Sequence, residues 1–355
     1  MIDLNYLKKI KRINTDDKRN FKFGLRADRN EKIENWPINI FKNIFKNIKP
    51  HEFTAYYNTR EIKKLKVKIS KYLKISGENF IINHGGDGVI KEFLLLNHKK
   101  NLKVMVNGNN YEMYKVYFKA LKIKCFEIPY QSHLNSENIF SLDKQFLKKN
   151  IKKVDIVFIT NPNQISDKDF SIKELKELCI NNPKKSFFID ESYYDFGHYS
   201  FIQLTRKYKN IFIMRSITKT FGLASARVGF LIAHPQTIKS FKALETPYPV
   251  SLFSGKCLEF FLEKINLIKE YNKKVKIGRK FIVRELKKIK YKVHDSNGVS
   301  VFVYFKNEKA MKKKYKYLLS KLIYTRAMKI NDLNFLRISC GPEKQMRKIL
   351  KHFSI

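Results

Sequence analysis

Cysteine, proline and glycine are scarce in this chain of 355 residues, at 4, 9 and 13. Cys125, Cys179, Cys257 and Cys340 stand far apart, which gives no disulfide framework, metal knuckle or Cys-x-x-Cys redox motif. Buried thiols in a reducing compartment are the expectation. No apolar run is long enough to span a membrane. The start, Met1-Ile2-Asp3-Leu4-Asn5-Tyr6-Leu7 followed by lysines, has no signal-peptide core. A cytoplasmic protein follows from these absences. Acidic residues are also few, 32 against 73 basic ones, for a formal net charge of +41. Such an excess fits a nucleic-acid or anionic-membrane partner. Only thirteen of the basic residues are arginine, however, and sixty lysines run along the whole length beside abundant Asn, Ile, Phe and Tyr. A bias that uniform looks like nucleotide composition acting on codons. No dedicated nucleic-acid partner and no membrane are expected, beyond weak sticking to polyanions at low salt.

Short apolar, β-rich runs alternate with helical stretches through the middle of the chain. Strands are predicted at 80–83, 103–106, 124–128, 155–160, 186–189, 211–214 and 228–233, with amphipathic segments such as 171–180 between them. That alternation predicts an α/β fold with a mostly parallel seven-stranded sheet covered by helices, with ligands beyond the carboxyl ends of the strands. After Thr246-Pro247-Tyr248-Pro249 the pattern changes to a long helical stretch over 251–288, with Gly278 as a possible break. The segments 291–293 and 299–305 flank Ser296-Asn297-Gly298, a hairpin signature, and a further helix and a strand at 335–339 follow. These predict a smaller α+β domain over 246–355, joined by an N-terminal segment over 1–45. The large domain would span 46–245.

The few glycines are informative. Three fall in Asn83-His84-Gly85-Gly86-Asp87-Gly88, between a strand and the helical run 89–95. Backbone N–H groups there would face a ligand at the positive end of a helix dipole, which suits phosphate. Asp190-Glu191-Ser192-Tyr193 ends a strand, and Asn161-Pro162-Asn163-Gln164 ends another. Lys219 stands apart from the lysine runs. It lies in Ser216-Ile217-Thr218-Lys219-Thr220-Phe221-Gly222, between two hydroxyls and a glycine turn, a little before Arg227.

Taken in order, the glycine turn, Tyr111, the Asn-Pro-Asn loop, Asp-x-x-Tyr, Ser-x-x-Lys and Arg-x-Gly resemble the class I/II aminotransferases, which are fold type I pyridoxal-phosphate enzymes. The chain looks most similar to the histidinol-phosphate aminotransferases, from about Asn30 to Leu350. The resemblance implies pyridoxal 5'-phosphate as cofactor and no metal. It implies that Lys219 forms the Schiff base and then moves the substrate Cα proton, as only a primary amine can. Asp190 would pair with the pyridine nitrogen. Tyr193 and the amide of Asn163 or Gln164 would reach the ring's phenolic oxygen, and Tyr111 would stack on the ring. The phosphate would be held by backbone at Gly86 and Asp87, by Ser216 and Thr218, and by the planar fork of Arg227. Arg337, in Phe335-Leu336-Arg337-Ile338-Ser339, matches the arginine that takes the substrate carboxylate. Tyr57 falls where a tyrosine reaches the partner subunit's cofactor, which implies a homodimer.

The sequence departs from the family in places. Gln164-Ile165-Ser166 replaces Pro-Thr-Gly, Asn109-Asn110 replaces a proline before Tyr111, Asn58 stands where a proline often follows Tyr57, and Ser225-Ala226 precedes Arg227. The activity implied is amino-group exchange between an amino acid, with glutamate as donor, and a keto acid or aldehyde. The alternative is a decarboxylase resembling threonine-phosphate decarboxylase, which uses the same cofactor residues.

Overall fold

The computed structural model describes Tyr6, residues 8–10, 19–46, 48–136, 139–166, 169–197 and 199–354. Apart from Tyr6, the opening segment from Met1 to Leu7 read above lies outside them. In chain order the strands are β1 (Leu25–Arg26), β2 (Phe80–Asn83), β3 (Lys103–Asn107), β4 (Lys124–Ile128), β5 (Tyr130–Ser132), β6 (Phe140–Leu142), β7 (Ile156–Thr160), β8 (Ser186–Asp190), β9 (Ile211–Ser216), β10 (Gly229–Ile232), β11 (Val293–Asp295), β12 (Ser300–Phe305), β13 (Ile323–Tyr324), β14 (Arg326–Ile330) and β15 (Leu333–Ser339). Seven of them form one sheet in the order β2-β10-β9-β8-β7-β3-β4. Strand β10 runs antiparallel to both neighbours, and every other pair is parallel. The sheet is the one predicted, with bounds within a residue or two.

Its central strands are apolar without alternation because both faces are covered. β7, β9 and β10 are buried at every position. Helix Gly85–Leu96 lies on one face through Phe93, whose ring centre stands 5.8, 4.7 and 4.8 Å from those of Phe158, Phe188 and Phe212 on β7, β8 and β9. Each such burial contributes about 1.5–3 kcal/mol. Phe93 therefore anchors the helix whose first turn carries Gly85 to Asp87. Helix Thr59–Leu73 starts at Asn58, whose side chain accepts from the Arg60 amide at 2.8 Å. The asparagine that departs from the family's proline is an N-cap.

A second, four-stranded sheet has the order β11-β12-β15-β14 and is antiparallel throughout. It has its own apolar cluster, including Val301, Val303, Leu336, Ile338 and Ile282. Strand β1 pairs with β13, so the N-terminal segment packs against this C-terminal unit. Among the described residues, no helix is long and apolar enough to cross a membrane.

The structure corrects one boundary. The stretch 251–288 breaks at Lys264, between helices Leu252–Glu263 and Ile265–Lys288, and not at Gly278. Gly278 lies inside the second helix because the chain passes against it there. A Cβ at this position would fall 2.0 Å from the Gly341 carbonyl oxygen and 2.9 Å from the Glu343 nitrogen. Backbone cannot yield as a side-chain tip does, so Gly278→Ala is expected to cost about 1–3 kcal/mol or more as overpacking. Urea unfolding checks this, and an unchanged midpoint would contradict the close approach.

Candidate active site

The carboxyl ends of β3, β7, β8 and β9 open on one side of the large sheet, and the predicted residues gather there. Asp190 closes β8. It is buried, accepts from the Ser192 amide at 2.9 Å and from the Tyr114 hydroxyl at 3.1 Å, and burial raises its pKa against those donors. Tyr114 escaped the sequence reading, since a tyrosine one helical turn beyond Tyr111 reads as core. Behind Asp190, the Glu191 carboxylate takes the Arg215 Nε at 2.9 Å, and the Arg215 guanidinium lies 3.7 Å from the Tyr194 ring centre. This buried pair braces the segment carrying Asp190 and Tyr193.

Lys219 lies in the short helix Ile217–Thr220 directly after β9. Its Nζ donates to the Arg29 carbonyl at 2.8 Å. Burial first, then Arg337, Arg227 and Arg29, bring its pKa down to about 8, while Glu31 opposes them. Ser216 caps that helix, accepting from the Thr218 amide at 3.1 Å and donating to the Thr218 hydroxyl at 2.8 Å.

The glycine turn meets the arginine. Arg227 adopts φ +48°, and its Nη2 stands 3.1 Å from Asp87 Oδ2. Gly85 has φ +72°, which favours glycine, and a Cβ there would lie 2.7 Å from the same Nη2. The hydroxyls of Tyr111 and Tyr117 also donate to Asp87, at 3.1 and 2.9 Å. Gly86, Asp87, Tyr111 and Arg227 thus share one corner at the N-terminus of helix Gly85–Leu96.

The four-stranded sheet supplies the other wall. Arg337 on β15 is 4% exposed, and its Nη1 donates to Gln164 Oε1 at 2.6 Å and its Nη2 to the Asp28 carbonyl. Its Nε has no hydrogen-bond partner among the described residues, and burial lowers its pKa to about 10. Gln164 is further tied by Nε2 to the Asn109 carbonyl at 3.1 Å. Asn163 is buried, with Oδ1 accepting from the Ile165 amide at 3.1 Å and Nδ2 without a partner among the described residues. The Tyr193 hydroxyl accepts from Asn30 Nδ2 at 3.1 Å, and burial raises its pKa. Arg326, absent from the sequence reading, lies directly opposite Arg337 in the β14–β15 register and pairs with Glu112 across the cleft.

Tyr57 differs from the expectation. It is 7% exposed, enclosed by its own chain with Ile62 and Leu252. The slot exists because Gly255 has no side chain; a Cβ there would lie 2.5 Å from the Tyr57 ring. Tyr56 beside it is 76% exposed and stacked on Tyr248 at 4.2 Å with 5° between the ring planes.

A chain with this fold and this order of site residues is an aminotransferase: residues 30–353 match the model of aminotransferase class I and II, and the chain belongs to that family. Within it the chain is similar to the histidinol-phosphate aminotransferase of Buchnera aphidicola subsp. Cinara cedri, at 30% identity over 334 residues covering 90% of this chain and 88% of that one. It is similar also to that of Thermotoga neapolitana, at 27% identity over 331 residues covering 92% of each. Among solved structures, the histidinol-phosphate aminotransferase of Sinorhizobium meliloti, in complex with pyridoxal-5'-phosphate, shares the fold. Its TM-score is 0.79, at 18% identity, covering 92% of this chain and 88% of that one.

His294 on β11 holds the Asn163–Ser166 loop to the second sheet, with Nε2 2.6 Å from the Ile165 carbonyl. Burial depresses its pKa below 6.5. The folded protein therefore binds this proton less readily than the unfolded chain does. The contribution is fully present above about pH 6.5 and is lost as pH falls through the folded value. The melting temperature of His294→Gln, which keeps a donor, is expected to fall less than that of wild type between pH 7 and pH 5. Parallel decreases would contradict this role.

Proposed function

We propose that this aminotransferase works with pyridoxal 5'-phosphate and exchanges amino groups between glutamate and a phosphorylated keto acid or aldehyde of the histidinol-phosphate type. The observation that carries the reading is the half-buried Lys219, its amine brought to about 8, in the short helix directly after β9 and under the influence of Arg337 and Arg227. The residues present fit the cofactor. Gly85 leaves room for Arg227 at a helix N-terminus, while Asn163 Nδ2 and Arg337 Nε are buried donors without a partner among the described residues.

When bound, pyridoxal phosphate supplies an aldehyde that takes up amino groups and a ring that accepts electron density. The amides of Gly86 and Asp87, the hydroxyls of Ser216 and Thr218, and the Arg227 fork hold the phosphate. Asp190, kept in place by Tyr114 and Ser192, supplies the carboxylate for the ring nitrogen, and Tyr111 covers the ring. Tyr193 and an amide reach the phenolic oxygen. Gln164 is already committed to Arg337 and Asn109, which favours Asn163 as the freer donor. The Lys219 amine would take the substrate's Cα proton and return it, which a pKa near 8 permits. Arg337 takes the substrate's anionic group, beside Arg326, whose charge Glu112 already pairs. The matched family weighs against the decarboxylase alternative.

The division into a large domain over 46–245 and a small one over 246–355 with the N-terminal segment belongs to the same reading. So does a homodimer, supported by the exposed rings of Phe53, Tyr56, Tyr248 and Phe253 on one side.

Lys219→Ala should fold normally yet lose activity by about 10²–10⁴-fold or more. It should also fail to retain pyridoxal phosphate after borohydride reduction. Retention on another lysine, found by peptide mass, would contradict the assignment. Arg337→Leu should raise KM for the phosphorylated substrate about tenfold to a hundredfold, with a smaller effect on kcat, as charged hydrogen bonds are lost. Steady-state kinetics with histidinol phosphate measure this, and an unchanged KM would remove Arg337 from the substrate site.

A further inference from the structure

Lys219 sits in a helix of four residues, too short to bond its own last carbonyls. Side chains from elsewhere meet them. The Thr220 carbonyl accepts from Asn272 Nδ2 at 3.2 Å, out of helix Ile265–Lys288. The Phe221 carbonyl accepts from Trp36 Nε1 at 3.1 Å, and Trp36 is the chain's one tryptophan. Gly222 follows with φ +62°, and a Cβ there would lie 2.6, 2.8 and 3.1 Å from Cδ, Cβ and Cγ of Lys32. The buried Lys32 closes the arrangement, its ammonium 3.3 Å from the Tyr271 ring centre and 4.2 Å from that of Trp36. A lysine drawn into two aromatic faces is held there by cation–π attraction in a dry setting.

We propose that Trp36, Asn272 and Lys32 are positioning residues for Lys219, gripping the turn behind it from two distant segments and so fixing where its amine points. The proposal rests on Lys219 being the reactive amine. Trp36 and Asn272 bond the backbone carbonyls at 221 and 220, and through them act on the lysine. The amine itself bonds to the Arg29 carbonyl, seven residues before Trp36, so one segment holds both ends of the lysine. The charges bearing on the amine are Glu31, which favours its cationic form, and Arg337, Arg227 and Arg29, which oppose it, with burial outweighing each. Loosening the turn would let water reach the amine and move its titration upward.

The test uses the protein without added cofactor, so it does not depend on activity. In wild type, Trp36→Phe and Asn272→Leu, the titration of Lys219 is read from the pH dependence of its acylation by trinitrobenzenesulfonate. The Lys219 peptide is quantified by mass, beside a thermal melt. Wild type is expected to titrate near 8, and each variant about one unit higher, with roughly tenfold less free amine at pH 7. Lys32→Met is expected to move it the same way, and Lys32→Arg to restore it. Should Trp36→Phe not fold, Asn272→Leu and the Lys32 pair decide the question. Lower melting temperatures with an unshifted Lys219 titration would show a merely structural grip and overturn the proposal. Borohydride capture of pyridoxal phosphate on wild-type Lys219 is scored separately. Its failure would overturn the function, while the amine titration still decides the positioning.

Discussion

Weakening the Lys219 amine's hold on its proton is the constraint on which the site depends. A free lysine titrating near 10.4 has only about one amine in two thousand neutral at pH 7, whereas one titrating near 8 has about one in ten. Burial makes that difference, with three arginines acting in the same direction. The structure accordingly places the residue at the end of a strand buried at every position, under a segment brought from the N-terminus. Its exposed surface carries dozens of other lysines without these conditions, which is why the large net charge says little about chemistry.

The same logic governs the anionic side. Arg337 is buried with one nitrogen lacking a partner among the described residues, and burial first, with Arg326 acting the same way, has lowered its pKa to about 10. A cation in that condition gains from any anion that can reach it. Asp190 is the mirror case, a buried carboxyl pushed upward that gains from a cation. On the proposed function, Lys219, Asp190, Arg227 and Arg337 would form a site whose charges are balanced only when phosphate, a pyridinium and a substrate anion complete it. Arg227 holds Asp87 meanwhile, with Tyr111 and Tyr117 donating to the same carboxylate.

Much of this was legible in the residues because the large sheet is built from local units. Each strand, its following turn and the next helix lie together in the chain, so the motifs at Gly85, Asp190, Ser216 and Arg227 mark their own strand ends. The four-stranded sheet was less legible. A glycine inside a long helix reads as a break, but Gly278 answers to a backbone 63 residues further along. Trp36, Asn272, His294 and Arg326 make contacts between segments 52 to 214 residues apart, and no spacing announces them. Tyr57 shows the converse limit. Its neighbours in sequence match a pattern, yet the side chain follows the slot left by Gly255.

The decisive measurement is the visible absorption spectrum of the purified protein with pyridoxal phosphate, recorded before and after L-glutamate is added. A protein-bound band that glutamate discharges, and that the keto form of the phosphorylated substrate restores, is the predicted result. Failure of pyridoxal phosphate to bind, or a band that no amino donor changes, would contradict it.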